Sequence, residues 1–317
     1  MTTARATVAL VGLGNIGFRH LQGLKSLASQ IRLIGIDLSA DNLARARAEW
    51  TGDDALFTTG ADVAGESADV LILATSSQGR LKLLRQWGDR LKPRQVILEK
   101  ITFTDMADFD AAAGWAARAG ASVWVNCPRR VWPSFQRIRA ELAAGSGPIA
   151  LELTDPDFGL ACNGVHLIDA LQFLSGEAEV AATVCEISEI VDSKRAGYKE
   201  VHGRMVFATP SGHSLGLTVQ PGQDPDRRLH ISRGAYRLAL DQAKGLATLP
   251  DGQTVDYGRA PYQSELTGRV VADLLATGSC GLATLEDSAR AHSAEIEPLR
   301  ALFEAAQIDC SAGLPIT

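Results

Sequence analysis

The chain has 317 residues, of which 46% are hydrophobic and 21% charged, with a formal net charge of −6. This length predicts two domains, and so large an apolar fraction argues against global disorder. Residues 1–125 carry a net charge of +1 and residues 126–317 a net charge of −7, and no basic stripe stands out. We therefore expect neither nucleic acid nor a membrane surface as a partner.

The number and spacing of the cysteines argue against a fold held by disulfide bonds or by a structural metal ion. There are five, widely spaced and without a CxxC pair: Cys127, Cys162, Cys185, Cys280 and Cys310. A disulfide framework is therefore not expected, and we predict no metal site. The sequence shows neither a signal-peptide pattern nor an apolar run long enough to span a bilayer, so a cytoplasmic protein is expected.

The first 125 residues alternate short apolar runs with longer amphipathic ones, which predicts strands alternating with helices. The predicted strands are 7–11, 31–36, 70–74, 95–98 and 122–125. The predicted helices are 16–27, 39–50, 79–91 and 104–119. Such alternation implies right-handed crossovers and an α/β fold with a doubly wound parallel sheet, of the Rossmann type, in a domain covering residues 1–125.

After about residue 150 the pattern changes to strands without helices between most of them. The predicted strands are 149–153, 180–190, 201–208, 213–219 and 236–240. The predicted helices are 165–174, 264–276 and 285–306. This pattern indicates an α+β domain, residues 126–317, with a mostly antiparallel open sheet and helices on one face.

The segment Gly12-Leu13-Gly14-Asn15-Ile16-Gly17 is a GxGxxG pattern that directly follows a buried strand and opens a helix. Gly12 permits the tight turn, Gly14 lets a pyrophosphate approach the backbone, and Gly17 lets the helix pack against the strand. Asp37 ends the next strand, where its carboxylate would bind the adenosine ribose hydroxyls and repel a 2′-phosphate. The prediction is therefore a dinucleotide site that prefers NAD over NADP.

Two other strand ends carry polar side chains that could line the cofactor. Thr75 and Ser76 follow one strand, and Glu99-Lys100 follows the next. Ligands of doubly wound sheets bind beyond the carboxyl ends of the strands, so these positions face the predicted site. The full set of predicted cofactor residues is Gly12, Gly14, Asn15, Ile16, Gly17, Asp37, Thr75, Ser76, Glu99 and Lys100.

Several motifs in this order resemble the glucose–fructose oxidoreductase and inositol dehydrogenase family. They are Gly12–Gly17 with His20, Glu99-Lys100-Ile101, Asn126-Cys-Pro-Arg-Arg130, Asn163-Gly-Val-His166-Leu-Ile-Asp169, and the stretch from Gln263-Ser-Glu-Leu-Thr267 to Leu285-Glu-Asp-Ser288 and His292. The resemblance implies a dinucleotide domain followed by a substrate domain, whose open sheet is covered by self-association into a homodimer or homotetramer.

The resemblance also implies roles for individual residues. Lys100 matches the lysine that bridges nicotinamide ribose and substrate, and His166 matches the histidine of the second signature. Two positions depart from the family pattern. Ile101 replaces a proline, so a cis peptide is not expected before it. Cys162 stands four residues before His166, where the family has Asp, so either the substrate is held differently or the activity is altered or lost.

The resulting hypothesis is an NAD(H)-dependent dehydrogenase that transfers hydride between nicotinamide and a sugar-like or nucleotide-sugar alcohol or ketone. His166 would act as general base, and Lys100 would hydrogen-bond the same oxygen. The candidate substrate ligands are Arg129, Arg130, Asn163 and Asp169.

Two alternatives stay open: a dinucleotide-binding sensor or scaffold without turnover, and an imine or tetrapyrrole reductase on the same architecture. At the residue level, Arg130 could instead form a salt bridge. His166 could instead be a packed core histidine.

Overall fold

The computed structural model describes residues 5–222 and 226–317, which form two compact units. The first contains residues 5–103, Ala107–Asn126 and Pro261–Leu285, and the second contains the other described segments. The segment 261–285 was expected in the second domain, so its place in the first unit is a correction. The helix of this segment, Gln263–Thr277, packs closely against the helix Asn15–Leu24. A methyl group added to Gly268 would lie only 2.6 Å from the carbonyl oxygen of Gly23.

The first unit is built on a seven-stranded sheet in the order β15-β6-β5-β4-β1-β2-β3. Its strands are Ala6–Val11 (β1), Ile31–Ile36 (β2), Ala55–Thr58 (β3), Val70–Leu73 (β4), Gln95–Leu98 (β5), Ser122–Val125 (β6) and Ala283–Thr284 (β15). The first six are parallel, and only β15 runs antiparallel to its neighbour β6. The doubly wound prediction is confirmed.

Helices flank this sheet, and their ends follow local chemistry. They are Asn15–Leu24 (α1), Ala40–Glu49 (α2), Arg80–Leu91 (α3), Met106–Ala119 (α4) and Gln263–Thr277 (α7), with short 3₁₀ helices at Lys25–Leu27 and Ala61–Val63. Ser39 caps α2, because its hydroxyl accepts a 3.2 Å hydrogen bond from the amide of Asn42. Strand β4 is buried along its whole length, as expected for a strand covered on both faces.

The second unit contains an eight-stranded sheet in the order β14-β13-β12-β11-β7-β10-β9-β8. The strands are Ile149–Thr154 (β7), Ala181–Asp192 (β8), Lys199–Ala208 (β9), Ser214–Val219 (β10), Leu229–Arg233 (β11), Tyr236–Asp241 (β12), Leu246–Thr248 (β13) and Thr254–Asp256 (β14). All pairs are antiparallel except β7 with β10. This agrees with the predicted, mostly antiparallel sheet.

Three helices accompany this sheet, Pro133–Leu142 (α5), Leu160–Ser175 (α6) and Leu285–Ala305 (α8), with a 3₁₀ helix at Pro128–Val131. Helix α6 begins five residues earlier than the predicted range 165–174. Gly159 precedes it with φ +72°, a conformation that glycine adopts without strain. The extra turn therefore brings Cys162 and Asn163 onto the helix. In the described parts of the chain, no helix is both long and apolar enough to cross a membrane.

Candidate functional site

The glycine-rich turn between β1 and α1 has the shape of an anion cradle. Gly12 has φ +86°, and a methyl group on Gly17 would lie 1.7 Å from the carbonyl oxygen of Gly12, so both positions require glycine. A methyl group on Gly14 would meet nothing within 4 Å. The turn is therefore closed on the protein side and open on the side where α1 begins, with Asn15 and Ile16 exposed there. Free amides at such a helix start bind phosphate.

Asp37 follows β2 beside this turn, and its carboxylate is held by the backbone. Oδ2 accepts a 2.6 Å hydrogen bond from the amide of Leu13, and Oδ1 accepts a 2.7 Å bond from the amide of Ser39. The side-chain amide of Asn42 donates to Oδ2 at 3.2 Å. The carboxylate is thus oriented beside the glycine turn, at the place where ribose recognition was predicted.

A cavity of about 300 Å³ adjoins Asp37. Its lining joins the carboxyl ends of β1, β2 and β4 to the side of α3, and includes Gly12, Leu38, Thr75 and Trp87. Leu38 is 90% exposed, an unusual state for a leucine, and stands at the rim. An apolar slot with one oriented carboxylate suits a flat heteroaromatic base joined to a sugar.

The segment Glu99 to Thr102, which carries Lys100, is held from below by a buried arginine. The Arg80 guanidinium donates hydrogen bonds to the carbonyl oxygens of Glu99, Ile101 and Thr102, at 2.6 Å for Glu99 and 2.8 Å for Thr102. It also donates to the carbonyl of Thr75. Arg80 therefore fastens the turn after β4 to the turn after β5. The Lys100–Ile101 peptide is cis, which corrects the expectation of a trans bond, and the Ile101 side chain is fully buried.

Glu99 lies in a buried polar network that supports the same segment from α1 and α7. Its Oε1 accepts hydrogen bonds from His20 Nε2 at 2.8 Å and from Asn126 Nδ2 at 2.5 Å. His20 Nδ1 lies 2.9 Å from the Thr267 hydroxyl, and Asn126 Nδ2 also donates to Gln263 Oε1 at 2.9 Å. Burial raises the pKa of Glu99, but the bonds from His20 and Asn126 outweigh it and hold the pKa below its usual value.

Glu99, one of the predicted cofactor residues, is buried, whereas the predicted cofactor residues beside it are partly exposed. The Glu99 side chain is directed into the interior of the first unit, where it anchors the backbone that carries Lys100. Lys100, Thr75 and Ser76 are partly exposed at the carboxyl ends of β5 and β4, as predicted. His20, for which the sequence indicated a structural role, is a hydrogen-bond partner of the buried Glu99 carboxylate.

In the second unit, the first turns of α6 carry His166, Asn163 and Cys162, all of them half-buried. Cys162 has no carboxylate to offer, but a carboxylate from another element lies against this turn. Glu200, on β9, accepts a hydrogen bond from the amide of Ala161 through Oε1. Cys162 stands where the family motif has Asp, and an acidic side chain from the sheet, Glu200, lies against the same turn.

Two of the predicted substrate ligands bind each other. Arg130 Nε lies 2.8 Å from Asp169 Oδ1, and Asp169 is fully buried. Burial raises the pKa of Asp169 to about 6, against the opposing effect of Arg130. Arg129 donates a 2.9 Å hydrogen bond to Gln242 and lies over the ring of Trp132, and burial lowers its pKa to about 10. These contacts favour the salt bridge that the sequence left open for Arg130.

Sequence reasoning missed Arg80, Gln263, Thr267 and Glu200 as contributors to these sites. Arg80 follows a turn of small polar residues, where an arginine is usually exposed, so the sequence carries no sign of its burial. Glu200 sits in an alternating strand and reads as an outward-facing residue. The Gln263-to-Thr267 stretch did stand out, but only as part of a resemblance and without a role.

Scans against protein-family models and curated proteins give no match. Solved structures match the fold over nearly the whole chain. An oxidoreductase from Agrobacterium radiobacter, in complex with NAD+, L-tartaric acid and magnesium, has a TM-score of 0.71 at 16% identity, covering 96% of this chain and 97% of its own. UDP-N-acetylglucosamine 3-dehydrogenase from Acidithiobacillus ferrooxidans has 0.69 at 17%, covering 93% and 97%. A myo-inositol dehydrogenase from Corynebacterium glutamicum has 0.66 at 16%, covering 94% and 96%. At these identities the likeness establishes a shared fold.

Proposed function

We propose that the protein is a nicotinamide-dependent oxidoreductase of the glucose–fructose oxidoreductase and inositol dehydrogenase family. It would transfer hydride between the cofactor and a carbohydrate-like alcohol or ketone. The observation that carries this proposal is the glycine turn, closed by Gly12 and Gly17, open at Gly14, and flanked by the oriented Asp37 carboxylate. The fold shared with dehydrogenases that act on sugar nucleotides and inositol supports it.

The first unit fits a dinucleotide. The open side of Gly14 and the free amides at the start of α1 would hold the pyrophosphate, with Asn15 and Ile16 beside it. The cavity beside Asp37 would take the adenine, and Thr75 and Ser76 would line the path from it to Lys100. The nicotinamide ring supplies a two-electron hydride acceptor or donor, and the protein supplies orientation and proton handling.

Two side chains handle the proton and the charge in this proposal. Lys100 would donate a hydrogen bond to the substrate oxygen and stabilise negative charge that develops there. His166 would take the hydroxyl proton during oxidation and return it during reduction, since an imidazole titrates near neutral pH. Arg80 and the buried Glu99 are positioning residues in this scheme, because they hold the backbone on which Lys100 stands.

Asp37 would make the cofactor NAD rather than NADP, because a 2′-phosphate would be placed against a carboxylate. Titration of the protein with NADH and NADPH, followed by nicotinamide fluorescence, tests this. We expect NADH to bind about tenfold or more tightly than NADPH, and Asp37→Ala to abolish the preference. Asp41→Ala, an exposed aspartate in the first turn of α2, is the matched control. An unchanged preference in Asp37→Ala would remove the ribose assignment.

Cys162 favours one second candidate, a dinucleotide-binding sensor or scaffold that does not turn over. A panel of sugars, cyclitols and nucleotide sugars distinguishes the two. Absorbance change at the reduced-nicotinamide band supports the enzyme, and fluorescence change without turnover supports the sensor. The imine or tetrapyrrole alternative requires an apolar substrate cavity, whereas the cavity in the second unit also carries polar side chains, among them Asn163 and Glu200.

Self-association through the second-unit sheet forms part of the proposal. The edge strand β8 extends over 12 residues and none of its side chains is buried, although half-buried apolar residues such as Val184 and Ile187 repeat along it. A long edge of this kind is usually covered by another chain. Light scattering after size-exclusion chromatography is expected to give a homodimer or homotetramer, and a monomer would contradict this element.

A further inference from the structure

The second unit contains a cavity of about 690 Å³ at the start of α6. Three stretches enclose it: residues 156–163, which lead into the helix, residues 191–195 at the end of β8, and residues 219–222 after β10. Glu200 and His202 of β9 complete the wall. Its volume falls in the range of small-molecule sites, and its lining mixes polar side chains with apolar ones such as Phe158, Val191 and Val219.

Glu200 is held in this cavity by the backbone. Its Oε1 accepts hydrogen bonds from the amide of Ala161, in the first turn of α6, and from its own neighbour Val201 at 3.0 Å. These two bonds hold one carboxylate oxygen between a sheet strand and a helix start. The other oxygen, Oε2, accepts no hydrogen bond from any residue of the described chain. One oxygen is therefore committed to the protein, while the second lies beside Gly159 in the cavity wall.

The chain makes room for this carboxylate at Gly159. A methyl group there would lie 2.9 Å from Glu200 Oε2 and 2.8 Å from Cys162 Sγ. The carboxylate oxygen and the sulfur consequently flank one glycine, on the turn that also carries Asn163. A glutamate from β9 thus supplies an anionic oxygen beside Cys162, a residue that provides none itself.

Several charged groups on the cavity wall have partners within the second unit. Asp157 pairs with Arg227 at 2.5 Å, and His202 Nδ1 lies 3.1 Å from Glu189. Arg195 donates a 3.0 Å hydrogen bond to the Thr317 hydroxyl. Glu200 differs from these residues, because its hydrogen bonds come only from backbone amides and involve one of its two oxygens. A ligand hydroxyl is the group that complements a fixed acceptor of this kind.

We propose that Glu200 is the residue that recognises the substrate, by accepting a hydrogen bond from a hydroxyl group of a neutral, polyhydroxylated ligand bound in this cavity. The substrate class is a neutral sugar or cyclitol. A sugar acid bound at Glu200 would bring its carboxylate against that of Glu200, while the cations Lys194 and Arg195 stand on a different stretch of the cavity wall. This inference rests on the proposed function for its redox chemistry, and adds a substrate class and a specificity residue that the sequence motifs do not contain.

The test compares the full-length wild-type protein with Glu200→Gln and with the matched control Glu304→Gln, an exposed glutamate on α8 outside the cavity. The probes are a panel of neutral hexoses and cyclitols and the corresponding uronic acids. Binding is measured by calorimetry with NADH present, and turnover by nicotinamide absorbance. The glutamine keeps an oxygen for the Ala161 amide, and unchanged NADH binding and melting temperature show that the fold persists.

We expect the wild-type protein to bind a neutral member of the panel about tenfold or more tightly than its uronic acid. In Glu200→Gln, affinity and kcat/KM for the neutral sugar fall about 10- to 100-fold, mainly through KM, and the discrimination against the acid shrinks. Glu304→Gln leaves all values unchanged. A residue that only caps α6 would instead lower the melting temperature and leave the neutral-to-acid ratio intact.

The outcomes separate the two proposals. Turnover of a neutral sugar that is equally fast in Glu200→Gln overturns the role of Glu200 and leaves the oxidoreductase function standing. Binding of neutral sugars that depends on Glu200, but without hydride transfer, supports the site and overturns the oxidoreductase. If the folded wild-type protein binds uronic acids as tightly as their neutral counterparts, or binds no neutral member of the panel, the substrate class is wrong. The wild-type comparison decides this even if the variant does not fold.

Discussion

Replacing Glu99 by alanine removes the centre of the buried network beneath Lys100. The Glu99 carboxylate is 6% exposed and accepts hydrogen bonds from His20 and Asn126. The variant leaves both donors buried without their acceptor. Breaking a buried charged pair by removing one partner costs about 3–5 kcal/mol. With a urea dependence of about 2 kcal/mol per molar, the unfolding midpoint of the first unit falls by roughly 2 M.

The matched control is Glu66→Ala, which also removes a glutamate with two hydrogen bonds, in this case from Arg32. Both partners there are about one-quarter exposed, so the expected loss is about 1 kcal/mol or less. Urea unfolding followed by tryptophan fluorescence measures both variants. Because the pKa of Glu99 is lowered in the folded state, its contribution is present at neutral pH and disappears as pH falls through that lowered pKa. Equal losses in the two variants would refute the reasoning.

Three further predictions follow from the geometry. Gly14→Ala keeps the melting temperature and weakens NADH binding about tenfold, whereas Gly17→Ala destabilises the fold, because its methyl group has no room; similar melting temperatures would contradict this. Lys100→Ala and His166→Ala each lower kcat about 10²- to 10⁴-fold, His166→Ala at unchanged NADH affinity, and intact turnover in both would exclude the proposed chemistry. Asp169, with its pKa raised to about 6, binds its proton more tightly in the folded than in the unfolded chain, so stability falls by about 2 kcal/mol as pH rises from 4 to 7; Asp169→Asn removes this slope in urea titrations, and an identical slope would contradict it.

Apolar periodicity was sufficient to predict most of the fold. Strands buried on both faces read as continuous apolar runs, and Ser39 marked the start of α2 as an N-cap. Two of the strands it missed, Leu246–Thr248 and Thr254–Asp256, are three residues long, too short for a period to show. The start of α6 was missed because Gly159 and the distant Glu200 set it, and neither is part of a helical pattern.

The cofactor half of the candidate site was more predictable than the substrate half. The glycine turn is a local motif whose spacing encodes its geometry, and the structure has the predicted shape at Gly12 and Gly17. Substrate ligands were chosen by residue type, and type alone does not reveal that Arg130 and Asp169 bind each other. Glu200 reaches the start of α6 from a strand about 40 positions along the chain, and such contacts leave no mark in local sequence.

The return of residues 261–285 to the first unit has a consequence for how the protein can be divided. A fragment that ends near residue 125 would lack α7 and the edge strand β15. His20 would lose Thr267, Asn126 would lose Gln263, and the apolar stripe of α1 would be exposed to water. The first unit is therefore not a severable module. An independently expressed version would have to carry α7 through an engineered linker, and domain exchange between proteins of this fold would have to move two separate segments together.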